Sequence, residues 1–311
     1  MRFVLFVLAA VLGLAATAAT ARTVTDHSGH VVEVPDAPQR ILSLHDWTLT
    51  VMTRELGAPL VASSGRLAPD GSTFIRGGRE LFGLDFSQVE LASIHGKPDL
   101  ERIRSLKPDL IVANAGDYDV LQEQLSSIAP TLMFDAENGR PPFELYREYA
   151  GWIGRAEQFD TLKSAYDKRI DTTRSRLPAT FVSGTYSAIL TNGRDGTLTV
   201  LKEYGVLTTV LDDLGMKRIA LSDAVAAGQS RMTIGAELIG EIDADLIVTS
   251  FLPENGETES SIFTDLSRIA PGYEGFLRAY ETKRIFSFSR YEVYPPSFRG
   301  ADILMDKLER F

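Results

Sequence analysis

The 311-residue sequence contains no cysteine. That absence excludes disulfides, thiolate metal sites, cysteine nucleophiles and a lipid-modified cysteine behind a leader. Past the N-terminus there is no apolar run near the roughly 20 residues that a membrane-spanning helix needs. Histidine is scarce, with His27, His30, His45 and His95 all in the first third of the chain. A metal captured between two halves wants ligands from both sides, so a bare-metal receptor is disfavoured. No Gly-x-Ser-x-Gly elbow, Gly-Lys-Ser/Thr phosphate loop or His-Glu-x-x-His helix is present, which leaves catalysis with little support. Positive charge is in deficit: 32 Lys and Arg against 42 Asp and Glu, a net −10. This argues against nucleic acid or an anionic membrane surface as the main partner. A local basic pocket remains compatible with it.

What is present begins with a leader. Arg2 supplies a positive start, Phe3 to Leu14 is apolar with one glycine, and Ala19-Thr20-Ala21 fits a small-x-small cleavage site. Ala16-Thr17-Ala18 is a second option. Residues 1–21 therefore read as a cleaved export signal, and without a cysteine the mature chain is expected to be free of a lipid anchor. The remainder, 44% hydrophobic and 24% charged overall, has ordinary globular composition and length enough for two domains. Without disulfides it must hold together by core burial.

One phrase occurs twice. Asp99-Leu100-Glu101-Arg102-Ile103 leads through Leu106-Lys107-Pro108 to Asp109-Leu110-Ile111-Val112, and Gly235-Ala236-Glu237-Leu238-Ile239 leads through Ile242 to Asp245-Leu246-Ile247-Val248. Each copy predicts a short helix with a glutamate near its positive end, then a strand buried on both faces. Two such units imply two similar α/β lobes.

In chain order, Thr23–Thr25 and Val31–Val34 flank a turn at Ser28-Gly29. Ile41–Leu44 reads as the first buried strand, followed by a helix from Thr48 to Leu56 closed by Gly57. Leu60–Ser63 is a second strand, running into a Gly- and Arg-rich loop over 65–79. A helix over 120–127 and a strand Thr131–Phe134 complete a first lobe, residues 22–140. Residues 141–178 form a connecting helical region. Its apolar positions after Gly154 (Phe159, Leu162, Tyr166, Ile170, Leu177) keep helical spacing, and about 22 residues make a rod of about 33 Å. No flexible Gly/Ser linker interrupts it. The second lobe, 179–311, has strands at 186–190 and 284–288, helices at 208–214 and 272–280, and loops at 192–196 and 226–231.

Ligands of open α/β sheets lie beyond the carboxyl ends of the strands. The residues expected there are Trp47, Arg76, His95, Tyr118, Arg194, Arg231, Arg290, Tyr291 and Tyr294. Aromatic faces stack on a flat ligand and guanidinium forks neutralise anions, so this set suits a bulky anionic small molecule. His27 and His30 fit an exposed turn.

The leader, paired lobes and connecting helix resemble the periplasmic substrate-binding proteins of iron–siderophore, haem and cobalamin ABC importers. The most specific carriers are Arg40-Ile41-Leu42-Ser43-Leu44 with its helix to Leu56-Gly57, and Pro98-Asp99-Leu100-Glu101 through Pro108-Asp109-Leu110-Ile111-Val112. The resemblance implies two Rossmann-like lobes with central sheets, joined by one long rigid helix, with the ligand cleft between them. It implies a monomeric, non-enzymatic periplasmic receptor that delivers a ferric siderophore to an inner-membrane permease, docking through Glu101 and Glu237. The iron would be held by its chelator, stacked on Trp47, Tyr118 and Tyr291, with no protein metal ligand and no cofactor. Hydroxamate receptors of this type carry an Arg before the first phrase and a Tyr after the next strand. Here His95-Gly96-Lys97 stands in place of the Arg, and Tyr118 occupies the Tyr position. A haem or cobalamin receptor, with Tyr118 or Tyr291 as axial ligand to haem, is the near alternative. An exported enzyme or sensor on the same fold is the distant one.

Overall fold

The computed structural model describes residues 20–310, so most of the expected leader lies outside the described residues. Strands β1 (Ala21–Thr25) and β2 (Val31–Pro35) pair antiparallel around the Ser28-Gly29 turn. Asp26 pins this ribbon to the first sheet: its carboxylate accepts from the amides of Ser28, His30 and Met133.

The first sheet contains β3 (Ile41–Ser43), β4 (Leu60–Leu67), β5 (Thr73–Phe74), β6 (Glu90–Ile94), β7 (Leu110–Asn114) and β8 (Thr131–Phe134). Its order is β5-β4-β3-β7-β8, with β6 also on β4; all pairs are parallel except β4 with β5. The second sheet contains β9 (Thr185–Asn192), β10 (Thr197–Leu201), β11 (Lys217–Arg218), β12 (Arg231–Gly235), β13 (Leu246–Phe251) and β14 (Ile285–Ser289). It runs β12-β10-β9-β13-β14 with β11 on β9, the β9-β10-β12 part being an antiparallel meander. This is the two-lobed α/β architecture expected from the repeated phrase. The Asp-Leu-Ile-Val segments enter β7 and β13, buried as their continuous apolar character requires.

The two copies differ in their helices. Leu100–Ser105 is an α-helix because Asp99 caps it, accepting from the Arg102 amide at 2.9 Å. Its counterpart Ala236–Ile242 is a 3-10 run. Gly235 stands where Asp99 would cap, and Gly240 weakens the turn from within.

The connector consists of the helices Pro142–Trp152 and Ala156–Arg176, the latter of 21 residues and so about 32 Å long. One core runs from first to second lobe through it. Leu49 and Met52, then Phe143, Tyr146, Phe159 and Tyr166, then Val206, Leu207, Phe298 and Leu304 belong to a single buried cluster. Glu55, at the end of the first-lobe helix Thr48–Glu55, reaches the start of the second-lobe helix Phe298–Leu308. It accepts from Ser297 Oγ (2.8 Å), the amides of Phe298 (3.0 Å) and Arg299 (2.8 Å), and Tyr146 Oη (3.0 Å).

Three segments depart from the sequence reading. The expected 65–79 loop is a hairpin, Arg66 opposite Phe74, turned at Gly71 with φ +82°, and then the short helix Gly78–Phe82. The expected helix over 272–280 breaks into Tyr273–Gly275 and Arg278–Glu281, with Phe276 and Leu277 between. Within the acidic stretch after β13, the helix Ser261–Ile269 forms because Ile262, Leu266 and Ile269 line one buried face.

Candidate functional site

The carboxyl ends of β3, β4, β6 and β7 bring together His45, Asp46, Arg66, His95 and Asp117, with Arg76 arriving from the hairpin. Asp46 is fully buried, and Arg76 grips it bidentately, Nε to Oδ2 at 2.8 Å and Nη2 to Oδ1 at 3.0 Å. Arg66 Nε reaches Asp46 Oδ1 at 3.4 Å. Burial pushes the Asp46 carboxyl up, but the charge and hydrogen bonds of Arg76 outweigh it and hold the group below its usual range. His45 is driven down to about 3 by burial, with Arg76 and His95 adding to the effect against the pull of Asp46. His95 is also lowered, by burial first and Arg66 next. Both imidazoles are therefore neutral near pH 7.

Trp47 follows Asp46 directly. Arg76 Cζ lies 4.2 Å over its ring, Tyr294 packs at 4.5 Å between centroids and Tyr291 meets it edge-on at 6.0 Å. This is where the lobes touch beside the cleft. Gly77, at φ +74°, allows the closest approach: a Cβ there would stand 2.6 Å from the Tyr291 carbonyl. Farther back Glu137 accepts from Tyr294 Oη at 2.9 Å and from Arg231 at 2.7 Å.

The second lobe is open at its strand ends. A cavity of about 990 Å³ lies over the carboxyl ends of β13 and β14 and the β9–β10 turn, lined by second-lobe residues that include Asn192, Arg194, Ser250, Phe251, Asp265 and Arg290. Arg290 is half-buried and anchored by Ser250, Nε to Oγ at 3.1 Å. Arg194 is exposed on the turn.

The expected residues thus fall into three groups. Arg76, His95 and Tyr118 lie in the first-lobe wall, Trp47, Tyr291 and Tyr294 in the contact between lobes, and Arg194 and Arg290 around the cavity. Arg231 stands behind the second group, paired with Glu137, the carboxylate that also accepts from Tyr294. Trp47, Tyr118 and Tyr291 are 6%, 1% and 5% exposed, so other side chains already cover their faces. Sequence reasoning missed Asp46, the hub of the first wall. Its signal was present, an acid directly after a buried strand and upstream of an Arg-rich segment. Asp117, Ser250 and Asp265 carried no comparable signal. Among the described residues, no three His, Asp or Glu side chains converge to hold a metal ion, and no helix is long and apolar enough to cross a membrane.

A family model described as Periplasmic binding protein matches residues 83–289, two thirds of the chain, which takes in most of the second lobe and the later half of the first, from β6 onward. The chain belongs to the periplasmic binding protein family. As such it is a transport binding protein, not an enzyme; it works outside the cytoplasm and serves an ABC transporter, whose permease is its partner. It is 23% identical over 231 residues to YhfQ of Bacillus subtilis, assigned as an ABC transporter substrate-binding lipoprotein; the match covers 69% of this chain and 67% of that one. To YfiY of the same organism, assigned as a siderophore-binding lipoprotein, it is 25% identical over 211 residues, covering 60% and 61%. Holo-ViuP shares the fold of this periplasmic binding protein at TM-score 0.74 and 21% identity, over 93% of this chain and 95% of that one.

Proposed function

We propose that the protein is a monomeric periplasmic receptor for a ferric siderophore, which it hands to an inner-membrane ABC permease. The supporting observation is a family match that reaches into both sheets, together with guanidinium groups at the strand ends of each lobe, Arg66 and Arg76 in the first and Arg290 at the cavity of the second. The siderophore assignment of YfiY points the same way. Iron arrives already coordinated by its chelator, so the protein's task is to bind the outside of the complex. Arg66, Arg194 and Arg290 meet its negative charge, while Arg76, Trp47, Tyr118 and Tyr291 form the rigid backing. Glu101 and Glu237 are exposed on their separate lobes, and neither has an ion-pair partner among the described residues. That leaves both carboxylates available for a basic permease surface.

The mature chain is read as free of a lipid anchor, since the sequence has no cysteine to carry one. Cleavage after Ala18 leaves β1 whole, whereas cleavage after Ala21 removes its first residue, which pairs with Pro35.

The test uses the two tryptophans. Trp152 packs against His27 and Phe134, away from the cleft, so Trp152→Phe leaves Trp47 as the reporter. Titration with ferric hydroxamates, ferric citrate and ferric catecholates should quench Trp47 saturably for at least one class. Quenching by none of them, with a Soret band on adding haemin, would replace the siderophore reading with haem.

A further inference from the structure

The first-lobe wall contains polar groups that the fold leaves unsatisfied. Arg66 is tied to Asp46 only through Nε, at 3.4 Å; its side chain is 32% exposed, and its two terminal nitrogens have no partner among the described residues. His95 sits between two carboxylates, Nδ1 3.6 Å from Asp46 Oδ1 and Nε2 3.6 Å from Asp117 Oδ2. Both separations exceed hydrogen-bond length. Its Nδ1 is buried without a partner, as are His45 Nδ1, Ser64 Oγ and Ser93 Oγ in the same wall. Buried polar atoms are rarely left unpaired, so such a concentration marks groups with bonding capacity that the protein itself does not use.

Resting on the receptor reading above, we propose that Arg66 is the contact for a carboxylate-bearing chelate, and that His95 takes up one proton from solvent as Arg66 is drawn from Asp46 to the ligand. The groups facing His95 are Asp46 after β3, His45 beside it, Arg66 on β4, Arg76 from the hairpin, and Asp117 and Tyr118 after β7. Two guanidinium groups balance two carboxylates while the site is empty, and the imidazole stays neutral. A neutral imidazole donates from one nitrogen only, so it cannot serve both acids. When a ligand carboxylate engages Arg66, one negative charge is added and Asp46 loses its second cation. An imidazolium then restores the balance, donating Nδ1–H to Asp46 and Nε2–H to Asp117. Each contact needs a shortening of well under 1 Å to become a hydrogen bond. The only bond formed is one N–H bond on the His95 ring, and its proton comes from hydronium or a buffer acid in the solvent, which is left as water or the buffer base. Arg76 cannot play the part of Arg66, because its fork is committed to Asp46. His95 acts here as a positioning residue, and Arg66 as the ligand contact.

Proton uptake makes binding of an anionic chelate tighter at lower pH, by up to about tenfold per pH unit for one proton. Ferric citrate should therefore bind the full mature protein markedly more tightly at about pH 5.5 than at about pH 7.5. His95→Gln should bind it with an affinity that no longer depends on pH, and Arg66→Gln should weaken it at least about tenfold at both. Iron-free citrate supplies a second readout. It should raise the titration midpoint of the His95 ring nitrogens, followed by NMR and assigned through His95→Gln, in the wild type but not in Arg66→Gln. Equal affinity at the two pH values, or a His95 midpoint unmoved by citrate, overturns the proposal. Failure of every ferric chelate to bind overturns the receptor reading instead, while the citrate titration still decides the subsite.

Discussion

Glu55 offers the sharpest test of how the two lobes are held. It is partly buried, and its carboxylate takes four donors from two other parts of the chain, Tyr146 in the connector and the run Ser297 to Arg299. The amides of Phe298 and Arg299 belong to the first turn of a helix and have no partner within it. Replacing Glu55 by Ala removes the only acceptor shown for those two amides, at about 1 kcal/mol or more each. Ser297 Oγ keeps the Gly300 amide, and Tyr146 Oη can turn to the Met52 carbonyl at 3.3 Å, so these contribute less. With the lost attraction between carboxylate and helix N-terminus, the expected destabilisation is about 3 kcal/mol, near the lower end for breaking a buried charged network. Glu55→Gln keeps a neutral acceptor in place and should lose only about 1 kcal/mol.

The pH dependence has a definite sign. Burial raises the Glu55 carboxyl, against the opposing hydrogen bonds from Arg299, Ser297 and Phe298. A folded value above the unfolded one means that this contribution is complete below about pH 4.5 and is lost as pH rises through the folded value. Wild type should show that decline and Glu55→Gln should not. Urea denaturation followed by tryptophan fluorescence, with equal m values, measures both effects. A loss below about 1 kcal/mol for Glu55→Ala, or equal losses for Ala and Gln, would refute the reasoning.

Other expectations follow from the same contacts. Asp46→Asn leaves the Arg76 guanidinium buried without its counter-charge and should destabilise by about 3–5 kcal/mol in the same assay. Because the Asp46 carboxyl is held low when folded, its contribution should be present at neutral pH and fade as pH falls through the folded value, a slope the Asn variant lacks. Gly77→Ala combines a left-handed backbone with a 2.6 Å contact on the Tyr291 carbonyl, so it should lower the thermal midpoint; an unchanged midpoint would mean that the lobes yield there at little cost. Small-angle scattering should show little contraction on ligand binding, since one core and the Glu55 and Glu137 contacts already join the lobes. The double substitution of Glu101 and Glu237 by Ala should leave chelate binding intact and abolish uptake into cells.

Much of the fold was legible because its carriers are local. The Asp-Leu-Ile-Val runs announced β7 and β13, Gly57 announced a helix stop, and helical spacing from Phe159 to Ile170 announced the connector. What escaped depends on pairing across distance. Arg66 lies on a strand because Phe74 pairs with it, and no periodicity in a Gly- and Arg-rich segment reveals that. β6 reads as mixed polar sequence, and only its place beside β4 makes Ala92 and Ser93 buried. At the site, residue types pointed to the right strand ends but not to which groups neutralise each other. Arg76 looked like a ligand contact on composition; its burial against Asp46 is a property of the folded wall.

On the proposed receptor function, the strand ends of the two lobes divide the work of recognition unequally. The second-lobe wall is an open polar cavity whose arginines are held at one point, Arg290 by Ser250, or are free on a turn, Arg194. Such groups adjust to ligand shape with little rearrangement behind them. In the first-lobe wall every charge depends on another, so a ligand that moves Arg66 must be answered by Asp46, His95 and Asp117 together. If scattering finds the lobes rigid, as their shared core leads one to expect, ligands are not selected by closure, and the proposal makes charge balance in the first wall the element that discriminates. The same argument makes a cationic trihydroxamate such as ferrioxamine B the informative competitor. If it bound as tightly as ferric citrate, with the same dependence on Arg66, selection would have to come from the shape of the cavity instead.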